Sequence, residues 1–598
     1  MIILGVSGAE AIFHDSSATL VIDGQIVASV EEERFNRKKH SDGLPVHAIA
    51  YCLRKGGVSC TDIDDVGFFL EPDVLLKRMQ GDMLQRHGRV PRTIAYLAEQ
   101  TAKSFRMEER LREHFVFGPH TRFHYLSHHL THASSAFHVS GFERAAILTM
   151  DGFGERESCA LYVGGPDGLA KVHEFMAFPQ SLGLLYNAMA AHLGLGWDSG
   201  PGKLMGLAGY GTPDLQLFDD VIVLRDDARQ PVEIDASFLD FFRLALIWST
   251  LQKHAAEGTA RTFARSSSFV RGASGLSDKA MQRFGEPRLP GDPLTERHCD
   301  IAASIQSALS RAVLQIVRQV PKWLPDETDL CLAGGVALNV TTNRCLAESG
   351  LFKRLFVTPP ANDGGTSLGC ALYLDSLQSR RSTYAFDVYA GPHIEDDFDI
   401  GAACQLFADR ITYAKLDEAE LVRRAADCLV ANKLIGWVQG RMECGPRALG
   451  GRSILANPMD PGVKDALNTR VKKREGFRPY APSVLREASA DWFDLDDSPF
   501  MLLEATVHPH QRHRVPGIVH VDGTSRPQTV TESANPRYYR LIRAFYERSG
   551  VPMVLNTSFN RHGEPIVNRP EEAIAVLLET GLDDLFLGPY HIRRQGDR

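Results

Sequence analysis

The positions of apolar residues predict an alternation of strands and helices along most of the chain. Near the start, three apolar runs separated by a polar loop and an Asp23-Gly24 turn predict a strand and then a hairpin, at residues 2–6, 18–22 and 25–30. The same layout recurs at residues 145–150, 158–163 and 169–175. The sequence therefore predicts two copies of one strand–loop–hairpin unit.

A duplicated unit of this kind is typical of actin-like and sugar-kinase-like ATPases, which hold nucleotide between two halves. Further buried strands are predicted at residues 330–333, 355–358 and 434–438. Apolar residues at positions 301, 305, 309, 312 and 316 share one face of a helix predicted over residues 299–320. These elements indicate the α/β class.

Two histidines and two carboxylates occupy positions where chemistry is expected. His128 and His132 are four residues apart, so both imidazoles project from one face if the segment is helical, with Ser127 as its N-cap. Asp151 and Asp363 each follow a predicted strand and precede glycines. Together the four residues predict a site for a borderline divalent ion. The alternative is a helix with one core-facing and two solvated histidines.

Length and composition exclude several classes of protein. The chain has 598 residues, which predicts at least two domains, and a net charge of −8. No apolar run reaches the length of a membrane span, and the opening strand lacks the features of a signal peptide. Ten scattered cysteines without a Cys-x-x-Cys pair predict reduced thiols in a cytoplasmic protein.

Three other segments have distinctive compositions. The charge run at residues 31–40 is expected to be mostly a solvated helix end, from which Lys39 and His40 could reach an anion. The glycine-dense segment at residues 200–211 predicts tight backbone packing around a ligand, although its spacing is not that of a P-loop. Residues 212–297 are uninformative, apart from an apolar segment at 238–251 that predicts a core helix or the wall of an acceptor pocket.

A basic region follows a domain boundary predicted near residues 375–395. Residues 441–478 contain nine Lys and Arg against four Asp and Glu, a local charge of +5. No series of aromatic residues accompanies them, so concave phosphate sites are favoured over a nucleic-acid surface. The sequence therefore predicts small phosphorylated ligands and no nucleic-acid partner.

Eight motifs in one order resemble those of the NodU/TobZ-type O-carbamoyltransferases. They are EEERFNRKKH at 31–40, HHLTH at 128–132, DGFGE at 151–155, KLMGLAGYG at 203–211, GGVALN at 334–339, PPANDGG at 359–365, GRMECGPRALGGRSIL at 440–455 and NTSFN at 556–560. The chain departs from the family pattern at Gly209, where proline is expected, and at Cys444, where an aromatic residue is usual.

The resemblance implies a fold of two domains. The first, at residues 1–385, is a duplicated actin-like domain of the ASKHA class, similar to TsaD, which transfers the carbamoyl group and holds a metal. The second, at residues 386–598, is an α/β YrdC-like domain that forms carbamoyl adenylate from carbamoyl phosphate and ATP. HypF proteins share both modules, but their acylphosphatase and zinc segments have no counterpart here.

The resemblance also implies a reaction and its residues. An acceptor hydroxyl of an antibiotic or other small natural product attacks the carbamoyl carbon, and His14 is the general base. The metal ligands His128, His132, Asp151 and Asp363 would hold Fe²⁺ or another divalent ion, and ATP would enter with Mg²⁺. Carbamoyl adenylate would contact Lys39, Gly335 and Asn339. ATP and carbamoyl phosphate would contact Arg447, Lys472, Arg478, Arg526, Asn556 and Ser558, with Glu443 as a further candidate.

Two alternatives remain open at this point. One is a threonylcarbamoyl-type transferase that acts on tRNA, against which the acidic net charge and the weak nucleic-acid signal count. The other is a non-enzymatic, actin-like nucleotide switch. The sequence does not identify the acceptor, and it leaves the oligomeric state open, with a homodimer as one option.

Overall fold

The computed structural model describes residues 1–8, 14–75, 77, 106–240, 272, 274–289 and 291–596. Contacts group the chain into two compact units. Unit 1 contains residues 1–8, 14–63 and 385–598, and unit 2 contains residues 9–13 and 64–384. Both units mix helices with sheets. The division into domains of 1–385 and 386–598 stays a prediction.

The N-terminal part of unit 1 is a three-stranded antiparallel arrangement with two helices, β1 (Ile2–Ser7), β2 (Ser17–Ile22), β3 (Gln25–Glu31), α1 (Glu33–Asn36) and α2 (Val46–Gly56). The predicted hairpin is confirmed, because Ile22 pairs with Gln25 across the turn. Asp23 and Gly24 have φ values of 49° and 76°, the positive values that a two-residue hairpin turn of this type needs.

Unit 2 contains a five-stranded sheet flanked by helices. Its elements in chain order are β4 (Asp65–Phe68), α3 (Met107–His114), β5 (Arg122–Tyr125), α4 (His128–Phe137), β6 (Ala145–Met150), β7 (Glu157–Gly165), β8 (Gly168–Ala177), α5 (Leu182–His192), α6 (Gly200–Ala208), β9 (Ile222–Leu224), β10 (Val232–Ile234), α7 (Asp278–Phe284), α8 (Glu296–Trp323), β11 (Asp329–Ala333), α9 (Val340–Glu348), β12 (Arg354–Val357) and α10 (Thr366–Ser379). The strand order is β12-β11-β6-β7-β8.

The sheet of unit 2 brings its two acidic strand ends together. Strand β11 runs parallel to both β6 and β12, so the carboxyl ends of β6 and β12 lie on one edge. Every residue of β6 and β11 is buried, as expected for parallel strands covered on both faces. The predicted face of α8 is also confirmed, because all five of its apolar positions are buried.

The C-terminal part of unit 1 is built on an eight-stranded sheet. Its elements are α11 (Ile400–Leu406), β13 (Ile411–Lys415), α12 (Glu418–Val430), β14 (Ile435–Val438), β15 (Arg452–Ala456), α13 (Val463–Ala466), β16 (Ala481–Leu485), β17 (Ala505–Thr506), β18 (Thr524–Ser525), β19 (Gln528–Val530), α14 (Pro536–Ser549), β20 (Met553–Ser558), α15 (Pro570–Glu579), β21 (Asp584–Leu587) and β22 (Tyr590–Arg594). The order in the sheet is β13-β22-β21-β14-β15-β20-β16-β19.

The expectation of a solvated charge run after β3 is wrong for its first four residues. Glu31, Glu32, Glu33 and Arg34 are 2–7% exposed. Arg34 forms ion pairs with Glu31 and Glu33 and donates to the carbonyl of Gly445, whose own N–H donates to Glu31 at 2.9 Å. Glu31 and Arg34 thus fasten the loop that carries Gly445, whereas Glu32 accepts the N–H of Ala48 at 2.8 Å and Glu33 that of His40 at 2.7 Å. Each of the four buried charges therefore has a partner.

The glycine-dense segment at residues 200–211 forms helix α6 and a turn. A Cβ atom on Gly211 would lie 2.1 Å from the carbonyl oxygen of Cys299 in α8, so the tight packing there is against a helix. Most of the apolar segment at 238–251 lies outside the described residues. None of the helices that the structure describes combines the length and apolar character of a membrane span.

A close approach of two helices in unit 2 gives a test of the packing. A Cβ atom on Gly369 in α10 would lie 1.8 Å from the carbonyl oxygen of Thr131 in α4. We expect Gly369→Ala to lower the free energy of unfolding by about 1–3 kcal/mol, because the helices must separate. Urea unfolding followed by circular dichroism measures this.

Gly202 is the matched control, since it also lies in a helix and a Cβ atom there would meet nothing within 4 Å. Gly202→Ala should keep or raise the stability, because alanine favours helix more than glycine does. Equal unfolding midpoints for the two variants would contradict the close packing of α4 against α10.

Candidate functional site

The four predicted metal ligands converge in unit 2. The Nε2 atoms of His128 and His132 are 3.1 Å apart, and they lie 3.1 Å and 2.9 Å from Oδ2 of Asp151. Oδ1 of Asp363 is 3.6 Å and 3.5 Å from the same nitrogens. One ligand atom from each residue lies within 4.8 Å of all the others. Two imidazoles and two carboxylates at this spacing fit one divalent cation.

Charge within this cluster is balanced by the same contacts. Burial opposes ionisation of Asp151, but hydrogen bonds with His128 and His132 hold its pKa well below the usual value. Burial also opposes protonation of His132, yet the hydrogen bonds with Asp151 and Asp363 raise its pKa to about 9. The pocket therefore stabilises a positive charge next to the carboxylates, and a bound cation would take that place.

Helix α4 is held at its N-terminus by a residue that the sequence did not point to. Ser127 stands at the N-cap position, but its side chain does not cap the helix. Instead, the buried carboxylate of Glu155 accepts the N–H of His128 at 3.0 Å and that of Glu71 at 2.8 Å. Burial raises the pKa of Glu155 to about 7. A carboxylate here compensates the positive end of the helix and fixes His128.

The diglycine after β11 fixes the other side of Asp151. Oδ1 of Asp151 accepts N–H groups from Gly152 at 2.7 Å and from Gly335 at 3.2 Å. Gly334 has a φ of 89°, and a Cβ atom there would lie 2.2 Å from the carbonyl of Met150. Only glycine fits this approach, which brings the Gly335 N–H to the carboxylate. Gly335 thus orients a predicted metal ligand.

Asn339 is already engaged by side chains that the sequence analysis missed. Its amide exchanges two hydrogen bonds with Gln306, at 2.9 Å and 3.0 Å, and its Oδ1 caps α9 through the N–H of Thr342. Tyr186 also donates to Gln306, at 2.6 Å. Both Gln306 and Tyr186 lie in runs of apolar residues. A polar side chain at such a position was the feature of the sequence that could have indicated a buried hydrogen bond.

A second cluster, of cations, lies in unit 1. Burial lowers the pKa of Arg447 to about 10, and burial with the charge of Arg474 lowers that of Arg478 to about 10. Burial and neighbouring arginines also lower the pKa of Lys472 and of Arg526. The predicted phosphate-binding cations are therefore near one another, in surroundings that disfavour positive charge. An anion bound among them would relieve this repulsion.

Hydrogen bonds inside this cluster show which of its side chains also hold neighbouring parts of the chain in place. Lys472 ends a π-helical turn and donates to the carbonyl of Ser558 and, at 2.7 Å, to Oδ1 of Asn560. Asn556 donates to the carbonyl of Ala448 at 3.0 Å and to Ser483 at 2.9 Å. It thereby ties β20 to the arginine loop, the segment at residues 439–451 between β14 and β15 that carries Arg447. These bonds give Asn556 a supporting task in addition to any contact with a ligand.

Glu443 holds the arginine loop in a similar way. One of its oxygens accepts N–H groups from Leu449, Gly451 and Arg452, at 2.5–3.2 Å, and its side chain is buried. The arrangement makes Glu443 an anchor for residues 449–452. Its prediction as a nucleotide contact stays a prediction.

Arg474 is a further cation that the sequence analysis did not single out. It donates to Asn468 at 3.1 Å, and its guanidinium lies 4.5 Å from the ring centroid of Tyr480. Its place in the sequence between Lys472 and Arg478 was the feature that could have indicated its membership of the cluster. At the exposed rim of the cluster, partial desolvation and then the charge of Arg478 lower the pKa of Lys39.

His14, the predicted general base, lies in unit 1 beside Asp15. Its Nδ1 is 2.8 Å from Oδ2 of Asp15, and the other oxygen of Asp15 is 2.8 Å from Nδ1 of His40. The side chain of His14 is 42% exposed, so one edge of the ring can be reached from solvent.

Comparison with known sequences links both units to one family. A family profile described as Carbamoyltransferase N-terminus matches residues 2–372, and one described as Carbamoyltransferase C-terminus matches residues 426–594. Nodulation protein NolNO of Sinorhizobium fredii (strain NBRC 101917 / NGR234) is 37% identical, over 100% of this chain and 83% of that protein.

Two further relatives have similar identity over shorter spans. Nodulation protein NolO of Bradyrhizobium diazoefficiens is 37% identical, covering 79% of each chain. A 3'-hydroxymethylcephem-O-carbamoyltransferase of Amycolatopsis lactamdurans is 34% identical, over 48% of this chain and 53% of that enzyme.

Among solved structures, T. kodakarensis HypF superposes with a TM-score of 0.30 and 14% identity, over 64% of this chain and 48% of that one. An overlap of this size supports no argument about the fold. The actin-like and YrdC-like assignments therefore stay predictions.

The geometry of the four-ligand cluster predicts that His128→Ala abolishes metal binding. Loss of one imidazole removes a ligand and leaves the carboxylates facing one histidine, so the metal content should fall from about one ion per chain to below about a tenth. Elemental analysis of the purified protein measures this.

His129 provides a control on the same helix. Its Nδ1 contacts Oγ1 of Thr149 at 2.7 Å, and burial with the charges of His128 and His132 lowers its pKa to about 3, so it remains neutral. His129→Asn should retain the metal. Full occupancy in His128→Ala would exclude the four-ligand site.

Proposed function

Because the chain belongs to the carbamoyltransferase family, we propose that it is an O-carbamoyltransferase that forms carbamoyl adenylate from carbamoyl phosphate, ATP and water, with release of pyrophosphate and inorganic phosphate. The carbamoyl group then passes to a hydroxyl of a small natural product. The Amycolatopsis relative is named as a carbamoyltransferase for a hydroxymethylcephem, which supports a hydroxyl acceptor. The observation that carries the proposal is the presence of two chemically different clusters, one in each compact unit.

The cation cluster of unit 1 suits the first half-reaction. ATP and carbamoyl phosphate together bring several phosphate charges, and arginine donors match phosphate oxygens in pairs. Arg447, Lys472, Arg478 and Arg526 would bind these oxygens, and Ser558 and Asn556 would add neutral contacts. The lowered pKa values support this role, because burial, and for three of the four repulsion by neighbouring cations, disfavour the positive charges, and bound phosphate would offset both.

The four-ligand cluster of unit 2 suits the second half-reaction. A bound divalent ion, iron(II) in our proposal with zinc or manganese as alternatives that the same ligands accept, would supply Lewis acidity to the donor. Asp151 is held in place by the N–H groups of Gly152 and Gly335. Gly335 and Asn339, which lie in the same unit, would contact carbamoyl adenylate.

His14 would remove the proton of the acceptor hydroxyl. As the hydroxyl oxygen bonds to the carbamoyl carbon, the bond between that carbon and the phosphate oxygen of AMP breaks. The proton moves to the imidazole and AMP leaves as an anion. Enclosing the adenylate in one protein protects a mixed anhydride that water would hydrolyse.

Carbamoyl-phosphate-dependent release of pyrophosphate from ATP tests the first half-reaction. Arg478→Ala should lower this rate by about 10²–10³-fold, because the negative charge on the phosphate oxygens of ATP and carbamoyl phosphate loses a fixed donor. Adding carbamoyl adenylate made separately should restore transfer, since the four-ligand cluster is unchanged.

Arg543 serves as the control arginine in the same unit, because it is half exposed and pairs with Glu547. Arg543→Ala should release pyrophosphate at the normal rate. If added carbamoyl adenylate failed to rescue a folded Arg478→Ala protein, two separable half-reactions would be excluded. ATP consumption without carbamoyl phosphate would instead indicate a nucleotide switch.

The second half-reaction predicts a different result for His14→Asn. Pyrophosphate release should continue, whereas transfer should fall by about 10²–10⁴-fold, the usual contribution of a general base. Mass spectrometry of a library of hydroxylated natural products, incubated with carbamoyl phosphate and ATP, detects the carbamoylated product and identifies the acceptor. A normal transfer rate in this variant would show that His14 is not the base.

A further inference from the structure

The carboxylate of Asp15 connects two histidines that are distant in sequence. Its Oδ2 lies 2.8 Å from Nδ1 of His14, and its Oδ1 lies 2.8 Å from Nδ1 of His40. Asp15 itself is only 7% exposed. Burial works against its ionisation, but its contacts with the two histidines hold its pKa well below the usual value. Asp15 is therefore an ionised acceptor for both rings.

Hydrogen bonds hold the backbone around this trio. Ser16 donates through its hydroxyl to the carbonyls of Ser41, at 2.8 Å, and Gly43, at 2.6 Å. The N–H of His40 donates to Oε2 of Glu33 at 2.7 Å. Asp15 and His40 both have positive φ values, 60° and 56°. Such conformations persist only where the surroundings hold them, and they concentrate at functional sites.

An ionised carboxylate fixes the tautomers of both histidines. It can only accept hydrogen bonds, so each neutral ring must carry its proton on Nδ1 and its lone pair on Nε2. Nε2 of His40 is buried and has no hydrogen-bond partner among the described residues. This favours the same tautomer, because a buried N–H without an acceptor is rarer than a buried acceptor without a donor.

We infer that Asp15 is a positioning residue that holds His14 as a base in the tautomer with its lone pair on Nε2, and that His40 locks Asp15 in place. The role of His14 rests on the proposed function, whereas the tautomers rest on the hydrogen bonds of Asp15 to the two rings and on its ionised state. In the transfer step, the proton of the acceptor hydroxyl moves to Nε2 of His14, and Asp15 stays ionised and stabilises the imidazolium.

Replacement of Asp15 by asparagine gives a result that only this arrangement predicts. The oxygen of the asparagine amide can accept a hydrogen bond from Nδ1–H of one ring. Its NH₂ group then donates toward the second ring, which requires an unprotonated Nδ1 there. One of the two rings must therefore move its proton to Nε2. Asparagine also tolerates a positive φ, so the loop is preserved.

Nitrogen-15 NMR of ring-labelled histidine distinguishes the two tautomers. Difference spectra with His14→Gln and His40→Gln assign the two rings. At a pH where both are neutral, we expect both to carry the proton on Nδ1 in the unaltered protein. One should carry it on Nε2 in Asp15→Asn. A proton on Nε2 of either ring in the unaltered protein would overturn the inference.

Transfer kinetics test the link to chemistry. With the acceptor found by the library screen, Asp15→Asn should lower kcat by about 10²–10⁴-fold with little change in KM and with normal pyrophosphate release. Asp42, which is exposed and follows His40 by two residues, is the control, and Asp42→Asn should transfer normally. Normal kcat in Asp15→Asn would overturn the inference while leaving the proposed function intact. Absence of transfer in the unaltered protein would instead count against the proposed function.

A metal ion is the competing explanation for this trio, because its three ligand atoms also lie within 4.8 Å of one another. Elemental analysis separates the two. The inference predicts the same metal content in Asp15→Asn as in the unaltered protein. A second ion per chain that disappears in Asp15→Asn would overturn it.

Discussion

Burying a charged group costs free energy unless opposite charge or several hydrogen bonds replace the water that it loses. Both candidate sites depend on this constraint, and each meets it differently. In unit 2, two carboxylates face two imidazoles, and further N–H groups bind Asp151. In unit 1, several cations stand together with lowered pKa values. The carboxylates of the first cluster favour a cation, and the burial and mutual repulsion of the positive charges in the second favour an anion.

The same constraint explains how the N-terminal hairpin becomes part of unit 1. Glu31 and Arg34 are buried because they bind Gly445, which follows Glu31 by 414 residues in the chain. Arg441 likewise donates to the carbonyl of Val27 at 2.9 Å. The first strands and the arginine loop therefore stabilise each other. A perturbation at residues 31–34 is expected to disturb the cation cluster as well as the local helix.

Local pattern was enough to predict much of the fold and the four residues that converge in unit 2. Strands β1, β2, β3, β6 and β11 and helix α8 follow from runs and periods of apolar residues, and the ligands follow from four-residue spacing and strand ends. Local pattern could not predict contacts between residues that are distant in sequence. Ser127 looked like the cap of α4 because it precedes the helix, whereas Glu155 binds that helix from 27 residues away. Asn339 looked available because its partner, Gln306, lies in another helix.

The central claim is that carbamoyl phosphate and ATP combine on this chain into carbamoyl adenylate before any acceptor takes part. Exchange of labelled pyrophosphate into ATP, measured without an acceptor, tests it most directly, because exchange requires reversible formation of an adenylate. The account predicts exchange that depends on carbamoyl phosphate and disappears without it. Release of ADP, or exchange that is equally fast without carbamoyl phosphate, would contradict the account.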